Sequence, residues 1–115
     1  MESLDLVRGT LDLLILKTLC WGQLHGYAIA SAIRRRTEDL LLVEEGALYP
    51  ALHRMEGRGL IESEWGISEN NRRAKYYALT AAGREKLSSD AAEWRRYSGA
   101  VASILEATKP LGAVR

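Results

Sequence analysis

The segment that most constrains the fold of this chain is EEGALYPALHRMEGRGL, residues 44–60. At about 100 degrees per residue, its large apolar side chains form one stripe centred on Leu48. The opposite side is small, polar or cationic, so it has no need to be buried in protein. The stripe consists of Leu48, Ala51, Leu52, Met55 and the stem of Arg58, and the outer side consists of Gly46, Pro50, His53 and Gly57, flanked by Tyr49 and Arg54.

Proline and glycine mark the ends of this helix. Pro50 has no N–H and clashes with the carbonyl four residues earlier, so it fits the first turn of a helix or else kinks the helix. We therefore expect the helix to start between Glu45 and Ala47. Gly57 and Gly59 predict its end, because glycine commonly terminates helices.

Two interpretations of this helix are open from its own residues. A narrow apolar stripe with a small, cationic outer side suits insertion into the major groove of B-DNA, which admits one α-helix. The alternative is an ordinary amphipathic helix of a protein core.

Length and composition predict one domain in a reducing compartment. The chain has 115 residues, enough for one hydrophobic core. The single cysteine, Cys20, cannot form an intrachain disulfide, and its sequence neighbours form no metal-ligand motif. The apolar run over residues 11–21 is short and is interrupted by Asp12 and Lys17, so we expect neither a signal peptide nor a membrane span. We expect a cytoplasmic protein with no cofactor, no metal and no membrane partner.

Positive charge is concentrated in one short part of the sequence. The formal net charge is only +1. The difference between basic and acidic residues is −1 for residues 1–30, −3 for 31–69, +4 for 70–86 and +1 for 87–115. A localised basic patch is the electrostatic signature of a nucleic-acid-binding surface.

Two helices are predicted ahead of this segment. The first is so rich in leucine and isoleucine that we expect burial on more than one side, with Leu11 and Leu14 also contributing to a dimer interface. Three consecutive arginines end the second helix, where they complement the helix dipole. The predicted order is a helix over residues 4–21, a turn over 23–26, a helix over 27–38 and a linker over 39–43.

A β-hairpin is predicted after the third helix. Ile61, Ser63 and Trp65 alternate with Glu62 and Glu64, which is typical of a strand. The hairpin tip carries amides and cations with little counter-charge, which suits contact with phosphate or the minor groove. A solvated loop is the alternative. The predicted elements are strands over residues 60–65 and 74–79 joined by a turn over 66–73, and the candidate contacts are Asn71, Arg72, Arg73 and Lys75.

The last helix is predicted to start after Thr80, a good N-cap, and to run to about residue 106. Its apolar and small residues recur with heptad spacing. A helix this long has no core of its own to cover its far half, so we expect a homodimer. The predicted units are a DNA-binding domain over residues 1–80, a dimerisation helix over 81–108 and a tail over 109–115, and the predicted seam is Leu87, Ala91, Trp94, Ser98, Val101 and Leu105.

Four motifs resemble the PadR family of bacterial transcriptional regulators. The expected fold is therefore mainly α with a small β-hairpin, a winged helix-turn-helix plus one long C-terminal dimerisation helix. The resemblance is close over roughly residues 6–87. The last helix matches the family by its position more than by its sequence. The motifs are RGTLDLLIL at residues 8–16, HGYAI at 25–29, GALYPALHRMEGRGLI at 46–61 and RRAKYYALTAAG at 72–83.

This resemblance implies a homodimeric repressor bound to a palindromic operator in double-stranded DNA. Its third helix would lie in the major groove and its wing on the flanking backbone, and a small molecule would often release it. The Leu-Tyr pair of the family's recognition helix corresponds to Leu48, which packs inward, and Tyr49, which reaches phosphate. The DNA-binding residues expected from the sequence and the resemblance are Tyr49, Pro50, His53, Arg54, Asn71, Arg72, Arg73, Lys75 and Tyr76.

The resemblance also suggests an effector site. An aromatic residue lines a pore between subunits in some members, and Trp94 lies where that aromatic would fall. Trp94 then either forms a stacking platform for a planar, apolar effector or fills the dimer core. The acidic Glu44 and Glu45 depart from a phosphate-binding pattern, since they favour the helix dipole but repel phosphate.

Two other functional classes make different demands on the sequence. An enzyme would need Cys20, His25 or His53 to converge with carboxylates in a pocket, and their spacing forms no known catalytic motif. A winged helix that binds protein without binding DNA would present an apolar or acidic recognition face. The cationic hairpin tip favours DNA.

Overall fold

The computed structural model describes residue 6 and residues 9–112 of the chain. Four helices surround a small antiparallel sheet, which confirms the predicted fold class. The elements are α1 (Thr10–Thr18, followed by a 3-10 turn at Leu19–Trp21), β1 (Leu24–His25), α2 (Gly26–Arg36), α3 (Glu45–Gly57), β2 (Ile61–Ile67), β3 (Arg73–Leu79) and α4 (Ala81–Leu105).

The first helix is shorter than the sequence predicts. Gly9 has φ of +88°, a conformation that glycine adopts readily, and α1 begins at the next residue. The predicted start at residue 4 lies outside the described residues. At the other end, the 3-10 turn tightens the backbone before Gly22, whose φ of 148° is a conformation that glycine adopts readily.

One core joins all the elements. Ile15 and Leu16 of α1 and Leu19 of the 3-10 turn meet Ile29 and Ile33 of α2 there, together with the inner side of α3. Each such side chain contributes roughly 1.5–3 kcal/mol relative to exposure. The α3 residues Leu48, Ala51, Leu52 and Met55 are buried as predicted, whereas Arg58 is an exposed C-cap and leaves the stripe.

The sheet has three strands in the order β1-β3-β2, one more than the sequence predicts. Leu24 and His25, expected in a turn, pair with Tyr77 and Tyr76 of β3. Two residues are too few to show strand periodicity, so only the pairing partner reveals β1. We call residues 61–79 (β2, β3 and their turn) the wing.

The wing's strands are longer and its turn is shorter than predicted. Pairing extends to Ile67 opposite Arg73, so the turn is confined to residues 68–72. Two hydrogen bonds close it, from Ser68 N to Arg72 O and from Asn71 N to Ser68 O, both 2.8 Å. Asn71 has φ of +57°, which asparagine tolerates better than most residues.

The link between α2 and α3 is held by Thr37 and Arg34. The Thr37 hydroxyl donates to Ile33 O at 2.9 Å and accepts from Leu41 N at 3.0 Å. Arg34 Nε donates to Asp39 Oδ1 at 2.8 Å, so this arginine is more than a solvated helix end. These contacts fix the path of the chain as it leaves α2.

The third helix begins at Glu45, as expected, and its proline lies in the second turn. Pro50 cannot donate to the carbonyl of Gly46, which must bond elsewhere. Both residues are exposed, so water can reach this carbonyl. Gly59, with φ of +77°, ends the helix region as predicted.

The start of α4 is fitted tightly to the core. The Thr80 hydroxyl caps α4 by accepting from Gly83 N at 3.0 Å and donates to Gly59 O at 2.6 Å. A Cβ at Gly83 would overlap the carbonyl oxygen of Leu60. Beyond Leu87, which packs against the core, most of the described residues of α4 are exposed.

Candidate nucleic-acid interface

The outer side of α3 is open to solvent. Pro50 and His53 are exposed there, and Tyr49 lies at its edge. The Tyr49 ring covers the first residue of α2, where a Cβ on Gly26 would come within 2.7 Å of the Tyr49 hydroxyl. Glycine at this position therefore allows α3 to lie close to the N-terminus of α2.

Arg54 already has a partner in the protomer. It lies on the side of α3 that faces α1, and its Nη2 donates to Asp12 Oδ1 at 2.7 Å. The guanidinium is half exposed, so this ion pair is worth little in stability. To contact DNA, Arg54 must exchange this carboxylate for a base or a phosphate.

The two faces of the wing carry different chemistry. Residues directly opposite one another share a face, so Trp65 pairs with Lys75, and Ile67 pairs with Arg73, on the face that continues from α3. Tyr76 lies on the other face. Its ring crosses Gly66, and its hydroxyl donates to Ile67 O at 3.1 Å.

The three cations of the wing are held to different degrees. The guanidinium of Arg73 lies 4.3 Å from the centroid of the Trp65 ring. Lys75 Nζ lies 5.8 Å from the same centroid and 4.0 Å from Glu56 Oε1. Arg72 is exposed, and in the described part of the chain its side chain makes no hydrogen bond or ion pair.

Glu56 ties α3 to the wing. It accepts a hydrogen bond of 2.5 Å from the Ser63 hydroxyl and lies near Lys75. Burial raises the pKa of the neighbouring Tyr77, and the Glu56 charge raises it further. The wing and α3 are therefore connected through specific side chains.

His25 connects three elements. Its Nδ1 accepts from Ala28 N at 3.1 Å and so caps α2, while its Nε2 lies 3.3 Å from Glu69 Oε1 at the wing tip. The ring also makes an edge contact with Tyr76, 5.4 Å between centroids. Because Nδ1 accepts, the neutral ring carries its proton on Nε2 and donates it to Glu69. The sequence indicated only a turn histidine here.

The pKa of the Glu69 carboxyl is lowered. The main cause is a hydrogen bond from its own backbone N–H, and the second is the hydrogen bond with His25. Both hydrogen bonds favour the charged carboxylate. The Glu69 side chain therefore contacts His25 as an anion and links the wing tip to the start of α2.

A cleft of about 680 Å³ lies between the N-terminus of α2, α3 and the wing. We call it the wing cleft. Its walls combine aromatic rings with cations and, among the described residues, include no aspartate or glutamate. Sequence reasoning missed Trp65 and Tyr27 as members of this surface, because only the fold brings them beside Tyr49. The residues that carry its chemistry are Tyr27, Tyr49, Trp65, Arg72, Arg73 and Lys75.

The predicted dimer residues fall into two groups. Leu11, Leu14 and Leu87 pack partly against the protomer's own core. In the far half of α4, Val101 is 41% exposed and Leu105 is 78% exposed. Ala91 and Ser98 are half-buried, and Trp94, 38% exposed, lies 6.3 Å from Tyr97 between ring centroids.

The described residues contain no cluster of three or more potential metal ligands. Within the same residues, no helix combines the length and the apolarity needed to cross a membrane. Cys20 is half-buried at the end of α1, while His25 serves as a helix cap.

The chain matches the PadR-like transcriptional regulator family over residues 15–89. The transcriptional regulator Rv3488 of Mycobacterium tuberculosis is 35% identical over 83 residues, which cover 72% of this chain and 74% of that protein. A transcriptional regulator from Clostridium thermocellum has a similar structure, with a TM-score of 0.78, 32% identity and coverage of 86% of this chain and 96% of that chain. For a PadR family regulator from Clostridium difficile, the TM-score is 0.73, the identity 36% and the coverage 84% and 99%.

The helix pair α2–α3, the wing and the cleft between them define a winged helix-turn-helix protein. This chain belongs to the PadR-like family of transcriptional regulators. The family match ends at residue 89, so most of α4 lies beyond it.

Proposed function

We propose that this chain is a sequence-specific DNA-binding repressor that acts as a homodimer on a palindromic operator in the cytoplasm. The observation that carries the proposal is the wing cleft. It joins the edge of α3 to the cationic face of the wing, and no aspartate or glutamate is among the described residues that line it. An anionic polymer that enters the cleft would therefore meet helix and wing together.

Some of the side chains proposed to contact DNA are open to solvent, and others are hydrogen-bonded within the protomer. Pro50 and His53 lie open on α3 and face the proposed major groove, and Arg54 and Tyr76 must first give up their partners within the protomer. The remaining proposed contacts are Tyr49, Asn71, Arg72, Arg73 and Lys75.

The proposal requires a dimer because two half-sites of a palindrome must be engaged together. Exposed apolar side chains in the far half of α4 support it. Five of them fall within about 100 degrees of the helix circumference. A monomer gains nothing from exposing such a surface, and a second copy would bury it. We call this set the apolar stripe of α4: Trp94, Tyr97, Val101, Ile104 and Leu105.

Release by a small molecule is the least constrained part of the proposal. The rings of Trp94 and Tyr97 lie side by side and are open to solvent. They offer flat apolar surface of the kind that a planar, apolar effector would stack on. The same rings can equally well fill a dimer interface, and the Trp94 substitution described below separates the two roles.

Charge reversal in the wing tests DNA binding. We expect Arg72→Glu/Arg73→Glu to weaken binding to the DNA upstream of the chain's own gene and to random duplex alike. The slope of log K against log salt should fall by about 2 or more per wing, since each lost phosphate contact removes about one unit. Fluorescence anisotropy at several salt concentrations measures both quantities.

Arg95→Glu/Arg96→Glu is the matched control. It makes the same charge change on an exposed part of α4 away from the cleft. His53→Ala provides a second comparison. Loss of a base contact should reduce the difference in binding free energy between operator and random DNA by about 1–3 kcal/mol. Equal binding by all variants, or no DNA binding by the wild type, would favour a protein-binding winged helix instead.

A further inference from the structure

Trp65 is the least expected residue of the cleft. It lies in β2, on the wing face that continues from α3, and 57% of it is exposed. A large aromatic side chain at such a position gains little from burial. Its main described contacts are with cations, Arg73 at 4.3 Å and Lys75 at 5.8 Å from the ring centroid.

The way in which the ring holds Arg73 differs from an ion pair. A carboxylate would fix the guanidinium but would also neutralise its charge and occupy its N–H donors. An aromatic face attracts the cation through the ring quadrupole and leaves the donors at its edge free. No described carboxylate forms an ion pair with Arg73, so its charge stays available.

The other wing cations lack this combination. Arg72 is exposed and its side chain has no hydrogen bond or ion pair with the described residues, so it must lose conformational freedom on binding. Lys75 is restrained, but partly by Glu56, whose negative charge competes with a phosphate. Arg73 alone among these three is both restrained and uncompensated.

We propose that Trp65 is a positioning residue that holds the Arg73 guanidinium ready for a bidentate contact with a DNA phosphate. The proposal rests on the DNA-binding function proposed above and assigns the wing's principal phosphate contact to Arg73. Restraint before binding lowers the entropy lost on binding, which for one long side chain corresponds to roughly a two- to tenfold change in affinity.

A double-mutant cycle on a fluorescein-labelled random 30-base-pair duplex tests this role. Trp65→Leu keeps an apolar side chain but removes the aromatic face, and we expect it to weaken binding roughly two- to tenfold. The salt slope should not change, because Arg73 still reaches the phosphate. Arg73→Ala should lower that slope by about 1 per wing. In the Arg73→Ala background, Trp65→Leu should have no further effect.

Two controls separate positioning from general damage. Trp65→Phe keeps an aromatic face and should restore most of the affinity lost in Trp65→Leu. Trp21→Leu makes the same substitution at another exposed tryptophan that also has cations over its ring, Lys17 at 4.6 Å and Arg36 at 5.4 Å. Trp21 lies by the C-terminal end of α2, whereas the wing cleft adjoins the N-terminal end, so DNA affinity should not change.

The outcomes distinguish this role from the proposed function as a whole. An equal loss from Trp65→Leu with and without Arg73 would mean that the tryptophan acts independently, and the positioning role would be wrong. The role would also be wrong if Trp65→Leu changed nothing, or if Trp21→Leu weakened binding as much. If Arg72→Ala, Arg73→Ala and Lys75→Ala each left affinity and slope unchanged, the proposed DNA-binding wing itself would be wrong.

Discussion

The wing cleft and the apolar stripe of α4 are both exposed in the protomer, yet they differ in how their side chains are held. In the cleft, contacts between elements orient the side chains, as Trp65 of β2 does for Arg73 of β3. In the stripe, neighbours on the same helix provide the contacts, as between Trp94 and Tyr97. The cleft is therefore already shaped within one protomer, whereas the two rings of the stripe are placed only by the helix that carries them.

This difference follows from where the core ends. Gly83 and Leu87 anchor the first turns of α4 against the protomer, but the helix continues to Leu105. A helix of 25 residues is about 37 Å long, more than this core can cover. The wing, by contrast, shares its sheet with β1 and its face with α3. Substitutions can therefore alter the wing cleft and the apolar stripe of α4 separately.

The largest expected effect comes from a charge in the apolar stripe. Val101→Asp places a carboxylate where the proposed dimer buries apolar surface, so we expect monomers. Loss of the second half-site should weaken operator binding by roughly 10²- to 10⁴-fold, the usual gain from linked binding. Sedimentation velocity and anisotropy measure the two effects.

Ala92→Asp is the control for that change, because position 92 is exposed on the opposite side of α4. It should leave the dimer intact. A Val101→Asp protein that stays dimeric would move the dimer interface away from this stripe.

Removal of the Trp94 ring should have the next largest effect. If the ring fills the dimer core, Trp94→Ala should weaken the dimer by roughly 3–5 kcal/mol. If it is instead a stacking platform, the dimer should persist while binding of a planar dye is lost. Dilution-dependent sedimentation and dye fluorescence, with Arg96→Ala as the control, distinguish these results. Normal dimerisation together with normal dye binding would exclude an effector site at Trp94.

The smallest effect concerns the wing tip and pH. The folded-state pKa of Glu69 lies below its ordinary 4.5, so its interactions stabilise the fold above that pH and are lost as the pH falls through the depressed pKa. Glu69→Gln should remove this part of the pH dependence without changing the dimer. Carboxyl NMR titration of Glu69, with thermal unfolding of both proteins between pH 6 and pH 3, checks the direction. A Glu69 pKa at or above 4.5 would contradict it.

Much of the fold could be predicted because local rules and tertiary packing agree. Thr80 caps α4 as expected, and the apolar stripe of α3 is buried apart from Arg58. The helical start at Thr10 and the two-residue β1 were not predicted. Their limits depend on Gly9 and on pairing with β3, neither of which hydrophobic periodicity reports.

The candidate site was predictable only as a set of residue types. Sequence placed Arg73 and Lys75 in a cationic hairpin, but it did not show that both cations lie near the Trp65 ring. Arg54 lies in α3 and Tyr76 in the wing, as predicted for DNA contacts. In the folded protomer, however, Arg54 donates a hydrogen bond to Asp12, and Tyr76 donates one to the carbonyl of Ile67. Such partners come from residues far apart in the chain, such as Asp12 for Arg54.

The sequence alone therefore determined the helix order, the amphipathic third helix, the cationic hairpin and the family resemblance, because spacing and composition encode each of them locally. The tertiary structure decided which cations are free and which are held, and it placed His25 between α2 and the wing tip. It also decided where protein cover ends along α4. These properties depend on distances between segments that are remote in sequence, and only the folded chain brings those segments together.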